Sequence, residues 1–189
     1  EKVGEIMKES YYKKQLTDEE KEAYQECIEL IEKGSRKKAA QKLNQFLDEK
    51  PGFVPALNKI AVIEVYQKNY SKAQSLLNQI LQQDPDFAPA ITNLGSIARE
   101  MGNSKRAKEL YQQALEADEE YGPAYNNLGV IYREEGDYAQ SVKYLKKARK
   151  RGSMSFKFKA DKPFYKDPGC LFVLFLAGAV IFILYLILT

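Results

Sequence analysis

The 189-residue sequence contains no histidine and no tryptophan, and its two cysteines, Cys27 and Cys170, are far apart. Without histidine, the side chain used most often as a general base and as a zinc ligand is missing. The two cysteines form neither a CxxC pair nor a disulfide framework, and there is no glycine-rich phosphate-binding loop. We therefore expect no enzymatic activity, no catalytic residue, no metal site and no cofactor.

The alternating pattern of β-strands is also missing before the C-terminal region, and a helical unit recurs in its place every 34 residues. Pro123-Ala124 is repeated as Pro89-Ala90 and as Pro55-Ala56, and Asn127–Gly129 is repeated as Asn93–Gly95. A period of 34 residues with two helices per unit is typical of a helical solenoid.

Small residues recur at two equivalent positions of each unit, where they allow two antiparallel helices to pack closely, and a bulky residue recurs four positions after the second. The first set is Gly129, Gly95, Ala61 and Cys27, the second is Ser141, Ala107, Ala73 and Ala39, and the bulky set is Leu145, Tyr111, Leu77 and Leu43. With these motifs, residues 17–151 resemble the tetratricopeptide repeat (TPR) family. We predict an all-α, TPR-type solenoid of about four helix-pair repeats.

The chain divides into four predicted segments. Residues 1–16 are predicted to form a capping helix or, alternatively, an interaction arm, and residues 17–151 form the solenoid, which opens with a capping box at Thr17 and Glu20. The predicted repeats cover about 20–53, 54–87, 88–121 and 122–151. A tether at 152–169 and a transmembrane helix at 170–189 complete the chain.

The resemblance implies that the concave face, lined by the first helix of each repeat, binds extended peptides or partner helices. Asparagine amides at this face can pair with a peptide backbone, and arginine can bind a carboxylate with two parallel hydrogen bonds. The alternative is that these residues are family consensus or a solvated face. Of the carboxylate-binding positions of chaperone-binding members, only Asn93 matches, which argues against a chaperone co-factor. The predicted groove residues are Asn58, Lys59, Asn93, Arg99, Asn126, Asn127 and Arg133.

Residues 170–189 contain no charged side chain. A helix of this length spans roughly 30 Å, the thickness of the hydrocarbon layer. Fourteen of the residues from Leu171 to Leu188 are Leu, Ile, Val or Phe, and they contribute at most roughly −4 to −8 kcal/mol toward insertion. We therefore predict a tail-anchored, single-pass membrane protein.

Basic residues are concentrated before this segment. From Val142 to Cys170 there are ten Lys or Arg residues against Asp161 and Asp167, whereas the rest of the chain has 19 basic and 24 acidic residues. Positive charge favours the cytoplasmic side, so the repeats should face the cytoplasm. A nucleic-acid-binding patch is the alternative, which the neighbouring hydrophobic segment makes less favoured. The predicted membrane-interface residues are Lys157, Lys159, Lys162, Lys166, Phe164 and Tyr165.

These features predict a membrane-anchored adaptor or scaffold that binds other proteins and lipid but no nucleic acid. A structural subunit of a membrane complex, or a self-assembling array of copies, is the alternative. A catalytic domain before Glu1, as in immunophilins that join an isomerase domain to such repeats and a tail anchor, is also compatible with the sequence.

Overall fold

The computed structural model describes residues 11–152, which are helical at residues 11–13 and then form eight longer α-helices. These are α1 (Asp18–Glu32), α2 (Arg36–Glu49), α3 (Val54–Tyr66), α4 (Tyr70–Gln83), α5 (Ala88–Glu100), α6 (Ser104–Ala117), α7 (Gly122–Glu134) and α8 (Tyr138–Lys150). The predictions for residues 1–10, for the tether after Gly152, for the transmembrane helix at 170–189 and for the membrane-interface residues from Lys157 to Lys166 lie outside the described residues. Between residues 11 and 152, no helix is long and apolar enough to cross a membrane.

The helices pack in consecutive pairs, α1 with α2, α3 with α4, α5 with α6 and α7 with α8. The second helix of each pair then packs against the first helix of the next pair, and the first helices α3, α5 and α7 are also neighbours. Contacts limited to adjacent pairs are what a stacked repeat requires. The prediction of an all-α, TPR-like solenoid is confirmed.

Prolines and a capping box mark the starts of the four first helices. Pro55, Pro89 and Pro123 each occupy one of the first two positions of a helix, where the missing N–H costs nothing because it would have no helical partner. The capping box at α1 is present as well: the Glu20 amide donates to Thr17 Oγ1 at 3.2 Å, and the Thr17 amide donates to Glu20 Oε2 at 2.8 Å.

The small equivalent positions lie where helices cross. Ala61, Ala73 and Ala107 have no exposed surface. The Ser141 hydroxyl is buried and donates to the Gly129 carbonyl at 2.8 Å. These contacts join the two helices of one repeat, so the small residues are part of the core.

The residues before α1 pack onto the second repeat. The Tyr12 ring makes edge contacts with Phe53 and Phe87, with centroids 6.2 and 6.1 Å apart, and the Tyr12 hydroxyl donates to Asp84 at 3.0 Å. Burial, and then the bonded Asp84 carboxylate, raise the pKa of Tyr12, which therefore stays protonated. Residues 11–16 thus attach to the body of the solenoid through this aromatic anchor and through the buried Leu16.

The turn after each first helix requires a residue with positive φ. After α1, α5 and α7 that residue is glycine: Gly34 with φ of +75°, and Gly102 and Gly136 with φ of +82°. After α3 it is Lys68, with φ of +63°. The Lys68 amide donates to the Val65 carbonyl, and the Asn69 amide donates to the Glu64 carbonyl. This is the Schellman motif, which favours glycine because other side chains are strained at positive φ.

Lys68→Gly is therefore expected to raise the free energy of unfolding by about 1 kcal/mol. The reverse change at the equivalent position, Gly102→Lys, should lower it by a similar amount, since a Cβ there meets no other atom within 4 Å and only the backbone is strained. Urea unfolding monitored by circular dichroism checks both. Changes of the same sign in the two variants would contradict the explanation.

Candidate functional site

The groove surface is defined here as the side of α3, α5 and α7 that carries the seven predicted groove residues. These three first helices are neighbours, so residues 34 positions apart lie side by side on adjacent helices. The structure therefore brings Asn58, Asn93 and Asn127 to one surface, together with Arg99 and Arg133. Their predicted role in partner binding stays a prediction.

Asn58 and Asn93 bind each other. The Asn93 Nδ2 group donates to Asn58 Oδ1 at 2.9 Å, between α3 and α5. Asn58 is buried, with 6% of its surface exposed, whereas Asn93 is half-buried. Asn58 therefore holds the Asn93 side chain in place, and Asn93 is the member of the pair that a partner can reach.

A depression of about 390 Å³ lies on the groove surface between α3 and α5. Its apolar wall comes from α3 and the start of α4, and its polar wall comes mainly from α5. The apolar residues are Val62, Val65, Tyr66 and Tyr70, and the polar ones are Lys68, Asn93, Ser96, Arg99 and Glu100. An apolar wall facing a few polar groups is the usual composition of a binding site.

The two arginines differ in how firmly they are held. Arg99 lies 3.6 Å from the neighbouring Glu100 carboxylate and is half-buried. Arg133 is exposed, and its guanidinium makes no ion pair with another residue in the range 11–152. The contact of Arg99 with Glu100 is long for a charge-assisted hydrogen bond, so both guanidinium groups can turn toward a carboxylate of a partner.

The other predicted groove residues are similar in exposure. Lys59, Asn126 and Asn127 are all half-buried. In the described part of the chain, the side-chain amides of Asn126 and Asn127 have no hydrogen-bond partner. The Thr92 hydroxyl of α5 also has none there, and it is fully buried. Unpaired polar groups are costly when water is excluded, so a bound backbone that pairs with these amides would stabilise a complex.

One acidic group near the groove surface is already neutralised. Glu64 of α3 is buried and accepts hydrogen bonds from Lys72 at 2.6 Å and from Asn69 at 2.8 Å. The Lys72 ammonium holds the pKa of Glu64 below its ordinary value of 4.5. Glu64 therefore joins α3 to α4 as a carboxylate and does not act as a binding group for a partner.

Several lining residues were not predicted from the sequence. Val62 and Ser96 lie one turn after Asn58 and Thr92 on their helices, so the helical period combined with the 34-residue repeat would have indicated them. Tyr70 belongs to α4 and reaches the depression through the packing of α3 against α4, which no local signal shows. Within residues 11–152, no group of His, Cys, Asp or Glu side chains could hold a metal ion.

Comparison with known proteins supports the repeat fold. The family model of the tetratricopeptide repeat protein 21 C-terminal ARM domain matches residues 2–158. Among solved structures, a thermophilic TPR protein of Thermus thermophilus is 17% identical, with a TM-score of 0.63 over 71% of this chain and 75% of that chain.

Two further solved structures are similar over comparable lengths. PilF of Pseudomonas aeruginosa is 21% identical, with a TM-score of 0.59 over 73% of this chain and 64% of that chain. MamA of Desulfovibrio magneticus RS-1 is 20% identical, with a TM-score of 0.54 over 71% of this chain and 76% of that chain. No curated protein matches the sequence. Identities this low establish a shared fold and leave the partners of this chain to be found from its own surface.

Proposed function

Because this chain belongs to the family of the tetratricopeptide repeat protein 21 C-terminal ARM domain, we propose that it is a non-enzymatic scaffold that binds a partner protein on the groove surface. The observation that carries the proposal is the depression between α3 and α5, in which an apolar wall faces Asn93 and Arg99. A solvated face would not need this combination.

The proposed mode of binding follows from the two walls. An apolar side chain of the partner enters beside Val62, Val65 and Tyr66, and its backbone pairs with the amide of Asn93. Asn93 is pre-oriented by its hydrogen bond to Asn58, so little side-chain entropy is lost on binding. Arg99 exchanges its long contact with Glu100 for a carboxylate of the partner.

We also propose that the scaffold is anchored by residues 170–189, with its repeats in the cytoplasm. This part of the proposal rests on the sequence alone: an uncharged apolar segment preceded by Lys157, Lys159, Lys162 and Lys166, with Phe164 and Tyr165 among them. Rings of this kind prefer the headgroup region, and lysines there favour the cytoplasmic side.

Arg99→Glu is expected to weaken binding of the partner at least about tenfold, because it places a second acid beside Glu100 and removes the cation. The partner is identified by cross-linking the full chain in its native membrane, and its affinity is then measured with both purified proteins. Arg106→Glu is the matched control, since Arg106 is exposed on α6, away from the groove surface, and its ion pair within residues 11–152 is with the nearby Glu109. Equal losses in the two variants would show that the groove surface is not the binding site.

A structural subunit is the second candidate, and exposed apolar side chains favour it. Tyr66, Met101 and Tyr138 each expose more than 60% of their surface, and each offers apolar area that a neighbouring subunit could cover. The same cross-linked material separates the two functions. A partner held at fixed ratio through detergent extraction, with an affinity unchanged by Arg99→Glu, would favour the subunit.

A further inference from the structure

The last helix of the solenoid carries an unusual charge. Helix α8 and the following Arg151 contain six Lys or Arg residues and no Asp or Glu. Four of these, Lys143, Lys146, Arg149 and Lys150, are exposed, and within residues 11–152 no side chain pairs with any of them. Four cations without counter-charges on one helix repel each other, so the arrangement calls for an anionic partner.

This charge is not a requirement of the repeat. The positions 34 residues earlier, on α6, hold Glu109, Gln112, Leu115 and Glu116. Leu115 packs against the core cluster that joins α6 to the next repeat, whereas its equivalent Arg149 is exposed. The basic residues therefore appear where the stacking of repeats ends.

Apolar side chains lie among the cations. Tyr138 and Val142 expose 68% and 50% of their surface, and they share one helical face with Lys146 and Arg149, at spacings of four, eight and eleven residues from Tyr138. We call this set the α8 surface: Tyr138, Val142, Lys143, Lys146, Arg149 and Lys150.

Tyrosine rings next to the α8 surface are covered by cations. Lys147 Nζ lies 5.3 Å from the centroid of the Tyr125 ring, and the Arg151 guanidinium lies 4.7 Å from it. Arg151 also pairs with Glu120 at 2.9 Å. Lys147 and Arg151 are thus engaged within the chain, and the exposed cations of the α8 surface are the ones that can meet a partner.

We infer that the α8 surface docks on an anionic phospholipid surface. Exposed Tyr and Val side chains between lysines suit the boundary between headgroups and acyl chains, where cations meet lipid phosphates. The inference rests on the proposed anchor: with residues 170–189 in the bilayer, the 18 residues from 152 to 169 would limit the distance between α8 and the membrane to at most roughly 65 Å. Docking would fix the orientation of the solenoid at the membrane.

A second copy of the chain is a weaker candidate for this position. Helix α1 is its most acidic partner surface, but four of its seven carboxylates are already paired within the chain, which leaves fewer for another cation. The pairs are Asp18 with Lys21, Glu20 with Lys50, Glu26 with Lys42 and Glu29 with Lys33. Carboxylates that are already paired offer less to another cation. Phosphates of a nucleic acid would satisfy the cations but would leave Tyr138 and Val142 without an apolar environment.

The test uses the full chain in nanodiscs of phosphatidylcholine, with or without phosphatidylserine. A fluorophore is attached to the new thiol of the Val142→Cys variant, which also carries Cys27→Ala and Cys170→Ser so that it has no other thiol. Alanine should fit at position 27, because the equivalent residue of the next repeat is Ala61. We expect quenching by a lipid-phase nitroxide to be about threefold stronger or more in the phosphatidylserine discs. Lys143→Glu, Lys146→Glu and Lys150→Glu together should reduce it to the level in phosphatidylcholine alone.

The matched control is the triple variant Lys37→Glu, Lys38→Glu and Lys105→Glu, which makes the same charge change at exposed lysines on α2 and α6 and should leave the quenching unchanged. Equal quenching in the two kinds of disc, or equal loss in both triple variants, would overturn the inference. The inference would also be overturned by quenching that appears only with two chains per disc, or by an α8 surface that binds RNA and not lipid.

Failure of the anchor gives a different result. A chain that does not enter phosphatidylcholine discs would refute the proposed anchor. Co-sedimentation of the same labelled chain with phosphatidylserine vesicles would then decide the inference, because the α8 surface should bind them in the original chain and not in the α8 triple variant.

Discussion

Tyr24→Ala is expected to lower the free energy of unfolding by about 3–5 kcal/mol, the usual cost of removing a buried aromatic ring. The Tyr24 ring has no exposed surface. Its centroid lies 5.7 Å from that of Phe46 on α2 and 5.3 Å from that of Phe53, the residue before α3. The single ring therefore joins α1 to α2 and to the residue that precedes α3.

The loss should be local. In a solenoid each pair of helices contacts only adjacent pairs, so stability is roughly a sum of repeat and interface contributions. Hydrogen exchange followed by mass spectrometry should show α1 and α2 losing protection in the Tyr24→Ala protein, while α5 to α8 keep theirs. Tyr24→Phe is the control, because it retains the ring and its contacts and should therefore lose less protection than Tyr24→Ala. A uniform loss from α1 to α8 would show that the described residues unfold as one cooperative unit.

The helices and their pairing could be predicted because the sequence repeats the same physical requirements. A proline at the start of each first helix of repeats two to four and a small residue at each crossing are local signals, and the 34-residue period supplies several copies of each. Register is therefore determined by agreement between copies and not by any one residue.

The details of the groove surface could not be predicted from the period. The sequence shows that Asn58 and Asn93 occupy neighbouring positions of successive repeats, but only the packing of α3 against α5 shows that the two amides bind each other and that one is buried. Likewise, Lys68 occupies a position where the three other repeats have glycine, and the sequence gives no sign that its backbone still adopts positive φ. Such features depend on contacts between helices.

The α8 surface is a second feature that could not be predicted from the sequence alone. Its basic residues are visible in the sequence as part of a longer basic run, but a run alone does not separate exposed lysines from those engaged with tyrosine rings. The structure makes that separation, with Lys147 and Arg151 against Tyr125 and four others facing outward. The functional proposal for α8 rests on those four.

Gly95→Ala is expected to destabilise the protein by about 1–2 kcal/mol, since overpacking costs ~1–3 kcal/mol and alanine returns up to ~1 kcal/mol of helix propensity. A Cβ atom at Gly95 would lie 2.6 Å from Cε1 of the Tyr111 ring and 3.3 Å from the Ala107 carbonyl oxygen. The ring cannot easily move away, because it is fully buried and its hydroxyl lies 3.3 Å from Ser96 Oγ.

The preceding repeat has an alanine at the position equivalent to Gly95 and a smaller residue facing it. At the equivalent positions it has Ala61 and Leu77, both without exposed surface, so an alanine fits against a leucine in that repeat. In the last repeat, by contrast, a Cβ at Gly129 would lie 2.8 Å from the Leu145 side chain, so the fit also depends on how closely the two helices approach. Gly95→Ala should therefore destabilise the protein less in a Tyr111→Leu background than in the original protein, by about 1 kcal/mol. Urea unfolding of the two single variants and the double variant measures this coupling. If Gly95→Ala costs the same in the Tyr111 protein and in the Tyr111→Leu background, the ring is not the reason for glycine, and the backbone approach of α6 through the Ala107 carbonyl is the contact that demands it.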